Sequence, residues 1–319
     1  MVCGLNQLAV DGVMFRAHDS VDNRNAFGSE RNQQGENSYP QVRMCCLMEV
    51  TSHLILGSEF DARAVGEMTL AERLIGRAVD HSVTLFDRGY YSLGLLDSWH
   101  KAGEERHWVI PARKGARFNE QKRLGENDWL VSIPTSPQAR KKFTGLSTHI
   151  SDRLTRYTLN GKTYRILSSL LEPLRYPYDE LVDLYAQRWE IELGYREIKQ
   201  TLLQSAHTLR SKKLEMVHQE LWGVLLAYNL IRIVMIEACA AEEPLTPTRL
   251  SFSHCLWHVT TFLARLPMSS PGNLPKHYAA LLETLRMLTL PAYRPVRVYP
   301  REVRRKPTKY PFKKKSQSA

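Results

Sequence analysis

Apolar and polar positions change rhythm several times along the chain. Residues 5–10 form a short apolar run closed by Asp11-Gly12, a turn pair, and residues 13–16 resume alternation, so a hairpin is expected there. Residues 19–38, rich in Asn, Gly, Ser and charge, read as a long loop. Residues 41–51 and 54–60 read as strands, 68–79 show helical apolar spacing, and 82–86 form a buried-looking strand delivered onto Asp87. Asp11 and Asp87 thus stand at strand carboxyl ends, where mixed α/β sheets collect their chemistry. A helix over 93–102 precedes short strand-like runs at 108–111, 129–133, 154–159 and 163–170, with turn pairs such as Asn160-Gly161 between them. From Tyr178 the spacing becomes helical, over 180–203, 215–240, 252–265 and 276–288, with Pro244 and Pro247 as breaks. The fold class is α/β: a mixed sheet flanked by helices, interrupted by a β-rich insertion, with a C-terminal helical region. Residues 1–105 and 176–240 are the two parts of the core, 106–175 the insertion, and 241–319 the helical region with a basic tail.

The 319 residues, 43% hydrophobic and 24% charged, supply enough apolar material for one large domain or two ordinary ones. The uncharged stretch 221–231 stops at Arg232, short of the roughly 20 apolar residues a bilayer span needs. No basic segment leads a long apolar run at the start, so no secretory signal is read. Five irregularly spaced cysteines (Cys3, Cys45, Cys46, Cys239, Cys255) fit reduced thiols. A cytoplasmic protein without a membrane partner is expected. The net charge of +11 points to a polyanionic partner, but its distribution matters more. From Arg294 onward there are ten Lys or Arg and one acid, leaving only +2 for the rest. A solvated tail and a tail that touches phosphates are both open readings. No GxSxG, Walker loop or dinucleotide glycine pattern is present. His254-Cys255-x2-His258 has zinc-pair spacing but no second ligand pair, and Trp222, Leu225, Leu226 and Asn229 read as core.

The most informative segment is residues 185–199. At roughly 100° per residue, with Tyr185 at zero, Arg188 falls near −60°, Glu192 near −20° and Lys199 near −40°, while Glu190 and Glu197 fall near +140° and +120°. One acid of three therefore shares a face with Tyr185, Arg188 and Lys199. That face is either a ladder of i,i+4 ion pairs, Arg188 to Glu192 and Glu192 to Arg196, or a phosphate site in which the cations grip oxygens and Glu192 holds a metal. Spacing alone leaves both open.

The pattern Y-x2-R-x3-E-x6-K at Tyr185, Arg188, Glu192 and Lys199 resembles the signature of the insertion-sequence-4 family of DDE transposases. Residues 8–12 with Arg16, Asp19 and Asn23 are similar to the family's first-aspartate block, and Leu85-Phe-Asp87-Arg-Gly89-Tyr90 to its second. The resemblance implies an RNase-H-like fold in which Asp11, Asp87 and Glu192 converge on two divalent ions, Mg2+ with Mn2+ able to substitute, about 3.5–4 Å apart. It implies cut-and-paste transposition on double-stranded DNA, transposon ends and then target, through a hairpin intermediate and as a homodimer. Tyr185, Arg188 and Lys199 would hold a phosphate of the nontransferred strand, and Trp129 is the insertion's candidate for stacking on a flipped base, although a tryptophan in a strand is more often core. Family members carry a helical N-terminal domain, whereas ten residues precede Asp11, so the end-recognition module is expected to be missing. A catalytically silent DNA-binding remnant and a hydrolysis-only nuclease are the alternatives.

Overall fold

The computed structural model describes residues 4–28, 31–32, 35–36, 39–113, 115–159, 161–204, 208–240 and 245–291. The basic tail from Arg294, Cys3 and Asn160 of the expected 160–161 turn lie outside the described residues. Strand β1 (Asn6–Arg16) pairs antiparallel with β2 (Gln41–Glu49), which pairs antiparallel with β3 (Ile55–Ala62). On its other side β1 runs parallel to β4 (Ser82–Phe86), and β4 parallel to β5 (Arg106–Pro111). Helix α1 (Val21–Phe27), capped by Ser20, forms inside the stretch 19–38 expected to be loop, and helices α2 (Glu67–Leu74) and α3 (Leu93–Lys101) make the crossovers that parallel neighbours require. The order β3-β2-β1-β4-β5, with β2 the one reversed strand of the five, is the expected mixed RNase-H-like sheet.

The sheet does not stop at β5. Strands β6 (Asn119–Gly125), β7 (Asp128–Pro134), β8 (His149–Leu159) and β9 (Lys162–Ser168), with helix α4 (Pro137–Lys142) between β7 and β8, continue it through antiparallel pairing of β9 with β5. Nine strands run β3-β2-β1-β4-β5-β9-β8-β7-β6. Buried Arg153 of β8 fastens this extension, donating to Asp128 of β7 at 2.5–3.0 Å and to the carbonyls of Leu170 and Tyr176.

The hairpin expected at Asp11-Gly12 is not formed. β1 runs unbroken through both residues because they pair with Cys46 and Cys45 of β2, and ladder pairing overrides the local turn preference. Neither Asp11 nor Gly12 is therefore a turn residue. A Cβ at Gly12 would lie 2.7 Å from the Glu67 side chain of α2, which would have to swing aside.

Strand alternation divides the core between the two faces of the sheet. Leu8, Val10, Leu47, Phe86 and Trp99 pack with α2 and α3 on one face. Ala9, Met48 and Leu85 pack on the other face under α5 (Tyr178–Ala186), α6 (Trp189–Arg196) and α7 (Leu214–Cys239). Helices α8 (Phe252–Arg265) and α9 (Leu274–Arg286) add Phe252, Cys255, Leu281 and Leu285 to that side.

Helix α7 runs on through Arg232, so its 26 residues are long and apolar enough, by length and composition, to cross a membrane. In this fold one face of it is core, and Arg232 is buried there and ion-paired. Not all of its expected core residues are buried. Leu225 is, but Trp222 and Leu226 are 50% and 62% exposed, and Asn229 instead brackets Ile55, accepting from its N–H and donating to its carbonyl.

Candidate active site

The parallel register of β1 and β4 ends at Val10 opposite Phe86. The next residue on each strand is an aspartate, Asp11 and Asp87, on neighbours about 4.8 Å apart. Ala9 and Leu85, two residues earlier, belong to the α6 side, so alternation aims both carboxylates at that side. Asp87 accepts the Arg88 N–H at 2.6 Å, capping the tight turn Arg88–Tyr90 and fixing its own direction. Asp11 is half-buried and accepts the Gly12 N–H at 2.8 Å. Its carboxyl is pushed up to about 6, chiefly by burial; Glu192 and Glu67 add repulsion, while the Gly12 N–H and Arg188 hold it down.

The helix that carries Glu192 is not the single helix that its apolar stripe predicts. It breaks at Gln187–Arg188 between α5 and α6 and loosens into a π-helical turn at Glu197–Leu202, a distortion common at functional sites. The division of its acids nevertheless follows the helical arithmetic. Glu190 reaches His53 at 2.8 Å. Glu197 pairs with buried Arg232 and accepts the Tyr228 hydroxyl at 2.7 Å, and Arg232 also meets His53 at 2.8 Å. His53 and Arg232 hold the Glu197 carboxyl below its usual range despite burial. Both far-side acids are thus taken up by the buried His53 and Arg232, and Glu192 is left on the side of Asp11 and Asp87.

On that side Arg188 donates to Glu192 at 3.0 Å, the first rung of the expected ladder, and it lies within electrostatic reach of Asp11, Asp87 and Tyr185. The Tyr185 hydroxyl donates to the Phe86 carbonyl at 3.5 Å, beside Asp87. Lys199 donates to the Met14 carbonyl at 2.9 Å, in the part of β1 that β4 no longer covers, and burial lowers its pKa. An ammonium has three donors, so two remain for a ligand. Asp19 and Asn23 serve the scaffold here: Asp19 pairs with Arg24, and Asn23 ties the Ser211 carbonyl to that of His18.

The chemistry of the donor set fits a divalent cation. Asp11, Asp87 and Glu192 are all hard oxygen donors, and half-buried Asp11 feels a repulsion from Glu192 that a cation would relieve. Among the described residues, however, no three His, Cys, Asp or Glu side chains are gathered closely enough to chelate an ion, and Glu192 is engaged by Arg188. His254, Cys255 and His258 likewise form no metal group. Cys255 is buried in the core, and His258 packs edge-on against Trp257 at 4.7 Å.

The insertion's aromatic candidate needs correcting. Trp129 pairs in register with Leu154, an odd number of residues from Tyr157, so it lies on the α2/α3 side of the sheet, beneath the Arg156 guanidinium at 5.1 Å. Two aromatic features on the carboxylate side escape a first reading. Trp189, 52% exposed, follows Arg188 and falls near +40° by the rule of roughly 100° per residue, which is the signal that finds it. Tyr157 and Tyr164 stack at 5.3 Å in a cleft of ≈650 Å³ that also takes in Arg88, Lys162, Arg165 and Tyr185. Their cross-strand pairing on β8 and β9 was not legible from spacing.

Residues 3–230, which span all six predicted site residues, match the family profile described as the transposase DDE domain. The chain is 48% identical over 317 residues to transposase InsG for insertion sequence element IS4 of Escherichia coli (strain K12), covering 99% of this chain and 72% of that protein. It is 36% identical over 132 residues to the putative transposase InsZ of the same organism, covering 41% of this chain and 44% of that one. Among solved structures, the piggyBac transposase synaptic complex with hairpin DNA aligns over 91% of this chain and 58% of its own, at 13% identity and a TM-score of 0.44. With the carboxylate-bearing strands and the Tyr-Arg-Glu-Lys helix inside the matched region, the chain belongs to the DDE transposases of the insertion-sequence-4 family.

Proposed function

We propose that this transposase performs metal-dependent cut-and-paste transposition with Asp11, Asp87 and Glu192 as its acidic triad. The observation that carries the reading is the β1–β4 register, which makes Asp11 and Asp87 neighbours on the side of the sheet that bears α6 and Glu192. The three carboxylates would hold two divalent ions, Mg2+ with Mn2+ able to substitute, which when bound activate the attacking hydroxyl and stabilise the leaving oxygen. Arg188, Lys199 and Tyr185 hold the phosphate of the nontransferred strand of double-stranded DNA at a transposon end and later at the target. A phosphate that draws the Arg188 guanidinium onto itself also frees Glu192 from its ion pair, so substrate binding completes the acid set. Water cleaves one strand, and the freed 3′-hydroxyl attacks the opposite strand and releases the flanking DNA as the end closes to a hairpin. Water reopens the hairpin, and the 3′-hydroxyl attacks a target phosphodiester whose own 3′-oxygen leaves, with two subunits paired on the DNA in the cytoplasm. Trp189 and the Tyr157/Tyr164 pair take over the stacking role first given to Trp129, since they are the aromatic surface on the carboxylate side.

The test is incubation of the purified chain with a precleaved transposon-end duplex and Mg2+ or Mn2+. Hairpin and joined products that vanish in Asp11→Ala, Asp87→Ala and Glu192→Ala support the proposal, and cut product alone supports a nuclease. One observation favours a silent DNA-binding chain instead: Glu192 is held by Arg188 and no chelating trio is gathered among the described residues. Metal-independent binding without turnover is the result that would establish it.

A further inference from the structure

Beside the three acids lies a buried tyrosine that no signature position accounts for. Tyr195, one turn of α6 beyond Glu192, donates its hydroxyl to the backbone carbonyl of Asp11 at 2.6 Å. The ring is buried in the core under α6, and the hydroxyl lies against the thiol of Cys46, the residue paired with Asp11 across β1 and β2. Gly194 lets the helix come this close, because a Cβ there would lie 2.3 Å from the Met48 methyl on β2.

We infer that Tyr195 is a positioning residue for the acid site, its hydroxyl fixing the Asp11 segment of β1 against the helix that carries Glu192. This rests on the acidic triad proposed above. Other ties join this helical segment to the two acid-bearing strands, from Lys199 to Met14 and from Tyr185 to Phe86, but Tyr195 bonds to Asp11 itself. A phenylalanine fills the same space and leaves the carbonyl without this donor. The two carboxylates then share an ion with a looser separation, and the ion is held less tightly.

The experiment measures Mn2+ binding to the full chain without DNA, from loss of the free-ion electron paramagnetic resonance signal. Tyr195→Phe is expected to weaken binding about three- to tenfold, the worth of one buried hydrogen bond. Tyr228→Phe, which removes a phenol hydroxyl from the far side of the same helix, is expected to leave the Kd unchanged even where its thermal stability falls as far. Wild-type affinity in Tyr195→Phe, or an equal weakening in Tyr228→Phe, overturns the inference. Asp11→Ala and Asp87→Ala, whose carboxylates do not wait on a phosphate, separate the two levels. If they bind Mn2+ like wild type, the acid site itself is wrong, whereas if they lose it and Tyr195→Phe does not, only the positioning role fails. Should Tyr195→Phe not fold, Mg2+ titration of the wild-type chain gives the answer by NMR. The Tyr195 Cζ resonance is expected to shift while that of Tyr228 stays, and an unmoved Tyr195 signal refutes the role.

Discussion

Replacing Asp152 with asparagine should change how the stability of this protein depends on pH. The side chain lies on β8, 2% exposed, and its Oδ2 has no hydrogen-bond partner. The charged or titratable groups it senses are Asp97 of α3, itself paired with Lys101, and the Tyr91 phenol, whose hydroxyl is also unpartnered. Burial, with repulsion from Asp97, pushes its carboxyl from 3.8 up to about 8. The folded chain therefore keeps a proton that the unfolded chain releases, and the stability this group contributes is full below 3.8 and lost as pH rises toward 8. Each pH unit in that window is worth about 1.4 kcal/mol, so from pH 4.5 to 7.5 the loss reaches about 4 kcal/mol. Asparagine has no such proton and carries only a constant offset. Urea unfolding of both proteins at pH 4.5, 6 and 7.5 should show the Asp152→Asn variant gaining about 4 kcal/mol on wild type across the series. A difference that stays flat with pH would show that Asp152 titrates as an ordinary carboxylate, and the reasoning from its burial would be wrong.

Further expectations concern the scaffold. Glu197→Gln leaves Arg232 buried without its counter-charge and should cost about 3–5 kcal/mol in denaturant unfolding, whereas Glu192→Gln, part-exposed on the other side, should cost under about 1 kcal/mol. Arg153→Met strands Asp128 and should cost about 3–5 kcal/mol, with most of that regained in the Arg153→Met, Asp128→Leu double variant. Gly94→Ala would set a Cβ 2.1 Å from the Phe143 ring and should lower stability by about 1–3 kcal/mol; adding Phe143→Ala should relieve the clash, and thermal melts decide it.

Much of this arrangement is legible in the residues themselves. The run 82–86 is a strand with the expected bounds because all five side chains are buried, and that alone delivers Asp87 to the sheet's edge of action. The helix over 252–265 is likewise found with its expected bounds. Helical phase separates Glu192 from Glu190 and Glu197 without any coordinates, since a tilt of roughly 100° per residue survives modest distortion. Local preference misleads where tertiary pairing outranks it: Asp11-Gly12 has turn chemistry, yet Cys45 and Cys46 hold it in a ladder. An apolar stripe likewise cannot reveal a break at Gln187–Arg188 or the π-turn, which depend on partners across the sheet such as Met14. Which side of the sheet Trp129 takes is not legible in the sequence, because the parity that sets it is known only once β7 and β8 are in register, whereas its partial burial against the core is the ordinary lot of a strand tryptophan.

The network of His53, Arg232 and Tyr228 behind α6 works as a keyway for that helix. Glu190 and Glu197 are the teeth, and turning the helix about its axis would pull both from their buried partners His53 and Arg232. Lengthening or shortening the segment between them by one residue should therefore be far more damaging than a comparable change in the loop before α7. Chain length there is metered by charge, and the direction in which Glu192 points is what the metering protects.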